Sequence, residues 1–582
     1  MLVVSHVEPL VLPLQPLACF YCPGIKRESL NGSLTKMTKW KTIAEARRIV
    51  EQETGAIYKD WGGKLPVALA YPNTYYVGMS SLGLQTVYRL FNQRPDVVCE
   101  RVFWREGGRR GENREWRMER GQELVSLESQ RPLGEFGVVA FSFSYELDYF
   151  NALEMLRQTG IPLLAEERDE DDPLLIAGGP AVTANPEPLA DLFDAFVIGE
   201  AEELIPTLVE TLQEGIGQKR QSLLSALAQL PGLYVPTHPL ISNLQPPISN
   251  LHPVKRQWIR DLDAYPTTSV VLTGDTEFGD MYLVEIARGC KRGCRFCLAG
   301  HTGRPLRERS VATLLHQARE GLKHRDKIGL IGAAVSDYSC IDELVTGLRE
   351  MGTKISVSSL RAAPLSETLV KSLAESGSQT LTLAPEAGAE RLRALIHKDI
   401  SADDVMRAAD LAARYDFPRL KLYFMLGLPT ETEEDVQAIV DLVTALGQRF
   451  SRRITVNVTP FVPKAHTPFQ WAAMMPQAII RERLRYVEQQ LRPRGVAVKS
   501  DSTAWAAVQG VLSRGDRRLG QALTKMDRTS LAQWRRALRE SDLEADEYLR
   551  QRSLDETLPW SVVDSGLSQA HLRREWERAQ AG

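Results

Sequence analysis

The chain contains no run of about eighteen uninterrupted apolar residues, which leaves no candidate membrane-spanning helix and makes membrane association unexpected. It also lacks an excess of charge of either sign. A formal net charge of -3 over 582 residues provides no general basic field for holding nucleic acid, although a local RNA-binding groove stays compatible with it. Cysteine is scarce: 7 in the whole chain, three of them in one octet, which rules out a disulfide framework and fits a reducing cytoplasm. The apolar N-terminus (Leu2, Val3, Val4, Leu10, Val11, Leu12) has no basic residues ahead of it and is broken by Pro9, Pro13 and Pro16, so a signal peptide is not expected. Leu17-Ala18-Cys19 is discounted as a lipoprotein site on the same ground, and Cys19 and Cys22 read as incidental. Residues 1–37 are expected to be an extension, disordered or untranslated, with Met37 as the start.

The rest reads as an α/β protein of several domains. Short apolar runs at Val67-Ala68-Leu69-Ala70, Val138-Val139-Ala140-Phe141, Leu174-Leu175-Ile176-Ala177 and Ala195-Phe196-Val197-Ile198 alternate with helical stretches. Such runs predict strands buried on both faces, hence a doubly wound, Rossmann-like domain over residues 38–215. Residues 216–272 break the pattern. They contain the proline-rich near-duplication Ile241 to Pro253 and read as a linker or insertion. A second series over 273–498 places strands at 282–286, 328–331, 355–358, 380–383, 420–424 and 454–458. Helices are expected between them, the last opening on the capping box Thr432-Glu433-Glu434-Asp435. Six such units predict a partial (βα)6 TIM-type barrel. Residues 499–582, with Trp505, Trp534, Trp560 and Trp576 and balanced charge, predict a C-terminal helical region acting as scaffold.

The octet Cys290-Lys291-Arg292-Gly293-Cys294-Arg295-Phe296-Cys297 follows the first strand of the second series, where a parallel barrel carries its active site. Four thiolates would complete a structural zinc or an ordinary iron–sulfur cluster. Three thiolates on a four-iron cluster leave one iron open to a ligand such as S-adenosylmethionine (SAM). Gly289 and Gly293 would let the loop fold tightly around the three sulfurs. A Cys3His zinc site that includes His301 is the competing reading, and with it a zinc-stabilised binding scaffold without catalysis.

With aromatic Phe296 before the last cysteine, Cys290, Cys294 and Cys297 resemble the signature of radical SAM enzymes, and the resemblance extends along the chain from about Met37 to Glu577. It implies a [4Fe-4S] cluster on the three cysteines and SAM beside it. Gly332 to Tyr338, including Ser336, resembles the second-strand loop near the SAM methionyl group. Leu383 to Gly388, with Glu386, is similar to the fourth-strand motif at the ribose. Tyr423 to Thr432, with Gly427, Leu428 and Pro429, resembles the fifth-strand segment at the adenine. Phe296 and Arg361 join these as SAM candidates. Pro460 to Phe469 resembles the end of the barrel in methylthiotransferase-like members. Gly178, Gly179, Gly199 and Glu200 resemble parts of a cobalamin-binding-type domain. No D-x-H-x-x-G motif accompanies them, so two readings stand: cobalamin bound without a histidine ligand, or a fold that has lost it.

The resemblance further implies an electron donor such as flavodoxin or ferredoxin, and a small-molecule or RNA or ribosomal substrate. Methylthiolation is disfavoured, because Cys99 is the only cysteine between Cys22 and Cys290 and a second cluster would lack ligands. Arg304, Arg307 and Arg309 read either as an anion site or as a solvated turn.

Overall fold

Strand β1 (Leu65–Tyr71) is buried along nearly its whole length, and the computed structural model, which describes residues 42–105, 124–236 and 253–581, shows why. It lies inside a six-stranded sheet with β2 (Val97–Phe103), β3 (Val138–Ser142), β4 (Leu174–Gly178), β5 (Ala195–Val197) and β6 (Leu233–Tyr234), in the order β2-β1-β3-β4-β5-β6. All neighbours are parallel except β6, which runs antiparallel to β5. The first five strands follow the flavodoxin-like order, whose switch point falls between β1 and β3. One face is covered by helices Leu82–Gln93 and Leu204–Glu214, through Leu84, Tyr88, Phe91, Leu208 and Leu212.

The other face brings the first departure from expectation. Helix Asp148–Thr159 shares it with Thr503–Arg514, Arg518–Thr524 and Leu531–Arg539, so Val511, Leu512, Leu523 and Trp534 sit in one core with Phe141, Phe150 and Leu153. The C-terminal helices expected as a separate region are therefore the second layer of the N-terminal domain. A doubly wound sheet needs both faces covered, and among the described residues between β1 and β6 the helices leave this face only partly covered. The expected boundary at residue 215 moves as well, since helix Arg220–Leu227 and β6 complete the first sheet. Residues 1–37, Cys19, Cys22 and most of the charged loop 105–122 lie outside the described residues, as does nearly all of the duplication at 241–253.

After a short strand, β7 (Val254–Lys255), the second region begins with β8 (Tyr282–Glu285). Strands β9 (Ala287–Arg288) and β10 (Arg307–Glu308) form an antiparallel pair, and the parallel strands resume with β11 (Lys327–Ile331) and β12 (Lys354–Val357). They continue through β13 (Thr380–Glu386), β14 (Arg419–Leu426), β15 (Arg453–Pro460) and β16 (Ala497–Ser500). β8, β11 and β12 form one parallel sheet and β13 to β16 another; a bridge between Leu360 and Leu383 joins them, with the Leu360 N–H donating to Thr382 O at 2.9 Å. The six expected strands are all present in chain order. A seventh, β16, follows helix Gln477–Leu491 and pairs with β15. The capping box forms as expected, with the Thr432 N–H donating to Asp435 at 2.8 Å at the start of helix Glu433–Arg449. No helix among the described residues is long and apolar enough to cross a membrane.

The two regions meet through the carboxyl ends of their strands. Glu146, just beyond β3, pairs with Lys464, just beyond β15, at 2.5 Å. Glu200, beyond β5, pairs with Arg288 and Arg307 at the base of the cysteine loop. Helix Pro180–Ala184, beyond β4, packs on helix Leu298–Thr302 within that loop. A short strand, β17 (Val563–Asp564), pairs with β7 and ties the last helix, Gln569–Ala581, to the same place.

Candidate functional site

The β9–β10 pair makes the cysteine loop leave and return at one point, with Arg288 opposite Arg307. Gly289 turns at φ +79°, and a Cβ placed there would come within 2.4 Å of Gly303 O, so only glycine fits. A Gly289→Ala variant is expected to lose about 1–3 kcal/mol of local stability and to hold less iron per chain after reconstitution, as read by iron and sulfide analysis. Cys290, Cys294 and Cys297 are all partly exposed on this loop. The Cys290 thiol accepts the Arg292 N–H at 3.4 Å, and Cys297 caps helix Leu298–Thr302 by accepting the Gly300 N–H at 3.3 Å. Burial pushes the Cys290 thiol up and the Cys294 thiol up to about 11, with Lys398 and Arg361 drawing the latter back. A coordinated metal would overcome that desolvation by binding the thiolates outright.

Among the described residues no three His, Cys, Asp or Glu side chains close on one point as a single ion requires. His301 is buried, and its Nδ1 meets the carbonyl of Cys297 at 2.9 Å. A three-thiol donor set spread over a loop fits a polynuclear cluster and does not fit a tetrahedral zinc with His301.

The loop is held by ion pairs to distant parts of the chain, none of which the sequence pattern revealed. Arg292 makes a two-armed pair with Asp337, beyond β11, at 2.7 and 3.0 Å. Arg295 pairs with Glu575 of the last helix at 3.0 Å and donates to Leu395 O. Glu200 receives Arg307 at 2.7 Å and Arg288 at 3.2 Å. Burial alone would raise its carboxyl, but those guanidiniums more than offset this and hold it below the usual range. Arg309, buried, serves Glu285 and Thr267. Arg307 and Arg309 are therefore internal struts, neither a solvated turn nor an anion site.

The SAM candidates fall at successive strand ends on the same side as the loop. Gly332 follows β11, and Ser336 in the next turn accepts the Arg361 N–H at 3.2 Å. The Arg361 side chain, beyond β12, donates to Ala363 O at 2.6 Å and Asp399 O at 2.9 Å. Glu386 ends β13 at φ +71°, a left-handed conformation that a non-glycine residue keeps only where its surroundings enforce it. Its carboxylate pairs with Lys398 at 2.9 Å, and Lys398 in turn faces Cys294. Gly427 turns at φ +88° after β14, and its N–H donates to both oxygens of Glu431, at 3.0 and 3.1 Å. Arg483 backs Glu431 at 2.6 Å, so the Gly427-Leu428-Pro429 turn is braced from behind. Phe296 packs on the cluster of Phe461, Phe469 and Trp471.

The N-terminal candidates are occupied by the chain itself. A Cβ on Gly179 (φ +105°) would stand 2.5 Å from Phe143 O, and one on Gly199 (φ +112°) would stand 2.2 Å from Gln257 O. Gly178 closes β4 beside Val197, and Glu200 is spent on the arginines of the cysteine loop. The switch point holds different groups: Asn73, beyond β1, donates to Asp148 at 2.8 Å, and burial pushes the Asp148 carboxyl up to about 7. Tyr145, beyond β3, feels the charge of Asp501 beyond β16.

In the segment Pro460 to Phe469, His466 is fully buried, and desolvation lowers its imidazole to about 4. An imidazole that is harder to protonate folded than unfolded leaves stability intact above the unfolded value of about 6.5 and erodes it as pH falls toward 4. Between pH 7 and pH 5 the protein is expected to lose about 2 kcal/mol from this group in urea unfolding, a loss that His466→Gln removes.

Comparison with known proteins agrees with this geometry. The family model for radical SAM proteins, N-terminal, matches residues 83–236, and that of the radical SAM superfamily matches residues 284–443. The chain belongs to the radical SAM superfamily and is an enzyme of it. Within that class it is 31% identical to an uncharacterized protein of Methanocaldococcus jannaschii over 78% of this chain and 90% of that protein. An uncharacterized methyltransferase of Pyrococcus horikoshii is 24% identical over 52% of this chain and 63% of its own length. A tRNA-2-methylthio-N(6)-dimethylallyladenosine synthase of Stutzerimonas stutzeri is 23% identical over 37% of this chain, which spans about half (51%) of that protein. Among solved structures, the cobalamin-dependent S-adenosylmethionine radical enzyme OxsB, with aqua-cobalamin and S-adenosylmethionine bound, aligns with 89% of this chain and 79% of its own at 12% identity and a TM-score of 0.47. Membership in the superfamily sets aside the non-catalytic zinc scaffold.

Proposed function

We propose that Cys290, Cys294 and Cys297 hold a [4Fe-4S] cluster and that the chain cleaves SAM reductively. When bound, that cluster supplies the electron that breaks SAM into methionine and a 5′-deoxyadenosyl radical, which abstracts hydrogen from substrate. One observation carries the reading: the three thiols and the SAM candidate segments follow the carboxyl ends of successive parallel strands of the two joined sheets. Gly332 and Ser336 would position the methionyl group, Glu386 the ribose, and the Gly427-Leu428-Pro429 turn the adenine. Lys398 keeps Glu386 oriented, and Arg361 fixes the Ser336 turn against the next strand. Phe296, packed on Phe461, Phe469 and Trp471, would shield the loop from water on that side. The test is anaerobic reconstitution with iron and sulfide, followed by SAM and dithionite. A brown protein that releases 5′-deoxyadenosine supports the reading; a colourless one holding a single zinc would end it.

A second reading adds cobalamin at the N-terminal sheet. It is favoured by the flavodoxin-like strand order and by the switch-point residues Tyr145 and Glu146, which meet Asp501 and Lys464 beyond the strands of the second region. The groups that would meet it are Asn73, Tyr145 and Asp148 at the switch point, rather than the glycines beyond β4 and β5. Cobalamin copurifying from supplemented growth, and lost in an Asp148→Leu variant, is the expected result. The RNA-modifying alternative draws on the tRNA-acting relatives, whose similarity is confined to part of the chain. Methylthiolation stays disfavoured, because Cys99 is buried in the N-terminal core away from the loop.

A further inference from the structure

Strands β13, β14 and β15 have two faces of different character. Leu381, Leu383, Leu420, Leu422, Val456 and Val458 lie in one apolar core with Val405, Val436 and Ile480 of the covering helices. The residues between them point the opposite way, onto the face turned from those helices. That face is polar. Thr382, Lys421, Tyr423, Thr455 and Thr459 are half-buried on it, and Asn457 is buried. The register gathers them: Lys421 lies between Thr382 and Thr455, and Tyr423 lies beside Asn457.

Two groups here lack partners. Among the described residues no ion pair or hydrogen bond engages the Lys421 ammonium, which stands 4.8 Å from the centre of the Tyr423 ring, so its stem runs toward the carboxyl end of β14. Asn457 is only 7% exposed, and its Oδ1 is buried without a hydrogen-bond donor. An oxygen in that state has given up water without replacement, which folded chains rarely tolerate. The Glu386 carboxylate at the end of β13 is taken by Lys398, and Glu431 beyond β14 by Arg483, so neither neutralises Lys421.

The same face leads to the candidate site. Met425, two residues beyond Tyr423, packs in the cluster that holds Phe296 of the cysteine loop, and Glu386 ends the adjacent strand. From Lys421 to Met425 is about 13 Å along the strand, and the three strands span about 10 Å, dimensions that suit a metabolite better than a polymer.

We infer that this face binds the substrate, a small molecule that carries a carboxylate or phosphate and at least one O–H or N–H donor. Lys421 meets the anionic group, flanked by the hydroxyls of Thr382 and Thr455, and Asn457 Oδ1 accepts from the donor. The inference rests on the SAM-cleaving reading above and gives its substrate a chemical class.

The experiment uses the reconstituted full chain with SAM and no reductant, in equilibrium dialysis. Glycerol 1-phosphate and glycerate probe the two anion types, and glycerol is the uncharged control. At least one anionic probe is expected to bind about tenfold or more tighter than glycerol, and which one does so separates phosphate from carboxylate. Propyl phosphate and propionate, which lack the hydroxyls, should bind about fivefold more weakly than their counterparts. The anion preference should vanish in Lys421→Met and return in Lys421→Arg, and the hydroxyl effect should vanish in Asn457→Leu. A wild-type chain that does not distinguish the anions from glycerol, an anion preference kept in Lys421→Met, or a hydroxyl effect kept in Asn457→Leu would overturn the inference. A wild-type chain that releases 5′-deoxyadenosine with dithionite but fails the probe test keeps the proposed function and loses this inference, whereas one that takes up no iron loses the proposed function itself.

Discussion

A Cys294→Ala chain, reconstituted anaerobically, is expected to remain nearly colourless and to form 5′-deoxyadenosine at background level, with either dithionite or flavodoxin as reductant. Cys294 is the middle of the three proposed donors, and burial pushes its thiol up to about 11. Its replacement leaves two donors on a loop whose geometry is set independently by Gly289 and by the arginine struts. The loop should therefore persist while the cluster does not. Wild-type secondary structure by circular dichroism with iron near zero is the predicted combination. Cys340→Ser serves as the control, because Cys340 is exposed outside the loop and should keep full cluster content. Activity retained in Cys294→Ala would mean that other residues hold the metal.

Replacing Lys464 with Met is expected to destabilise the whole chain by about 3–5 kcal/mol, because it strands a buried carboxylate. The side chains of Glu146 and Lys464 are each only 5% exposed and meet at 2.5 Å, and Gln509 also donates to Glu146, at 2.8 Å. These three residues come from the segment after β3, the segment after β15 and helix Thr503–Arg514. Removing the cation therefore strikes the point where all three join. The double variant Glu146→Leu/Lys464→Met should recover most of the loss in urea unfolding, since apolar replacement of a buried pair is often neutral. It should also restore the resistance to limited proteolysis that the single variant loses. A single variant as stable as wild type would show that the pair is not desolvated.

Much of the second region was legible in the sequence. All six expected strands appear within a few residues of where the apolar runs placed them, with helices between them as expected. Local signals suffice there because each βα unit buries its own apolar stripe against its own strand. Strand β16 escaped notice because only its first two residues, Ala497 and Val498, are apolar and its exposed end is polar. The C-terminal helices were recognised as helices but not as a layer of the N-terminal domain. Trp534 and Leu512 show an apolar face, and nothing in that face specifies which sheet it will cover.

The candidate site divides in the same way. The sequence by itself determined that three thiols share one loop after the first strand of the second region, where glycines let the loop turn, and it determined the order of the segments at the later strand ends. These are contiguous motifs, so their meaning is local. Only the tertiary structure decided what holds the loop. Arg292 finds Asp337 across 45 residues, Arg288 finds Glu200 across 88, and Arg295 finds Glu575 across 280. It also moved Gly179 and Gly199 from cofactor candidates to points where the chain crosses itself, and turned Arg307 and Arg309 into struts. Charge pairing over such separations depends on where the folded backbone brings each side chain, and no periodicity along the chain encodes that.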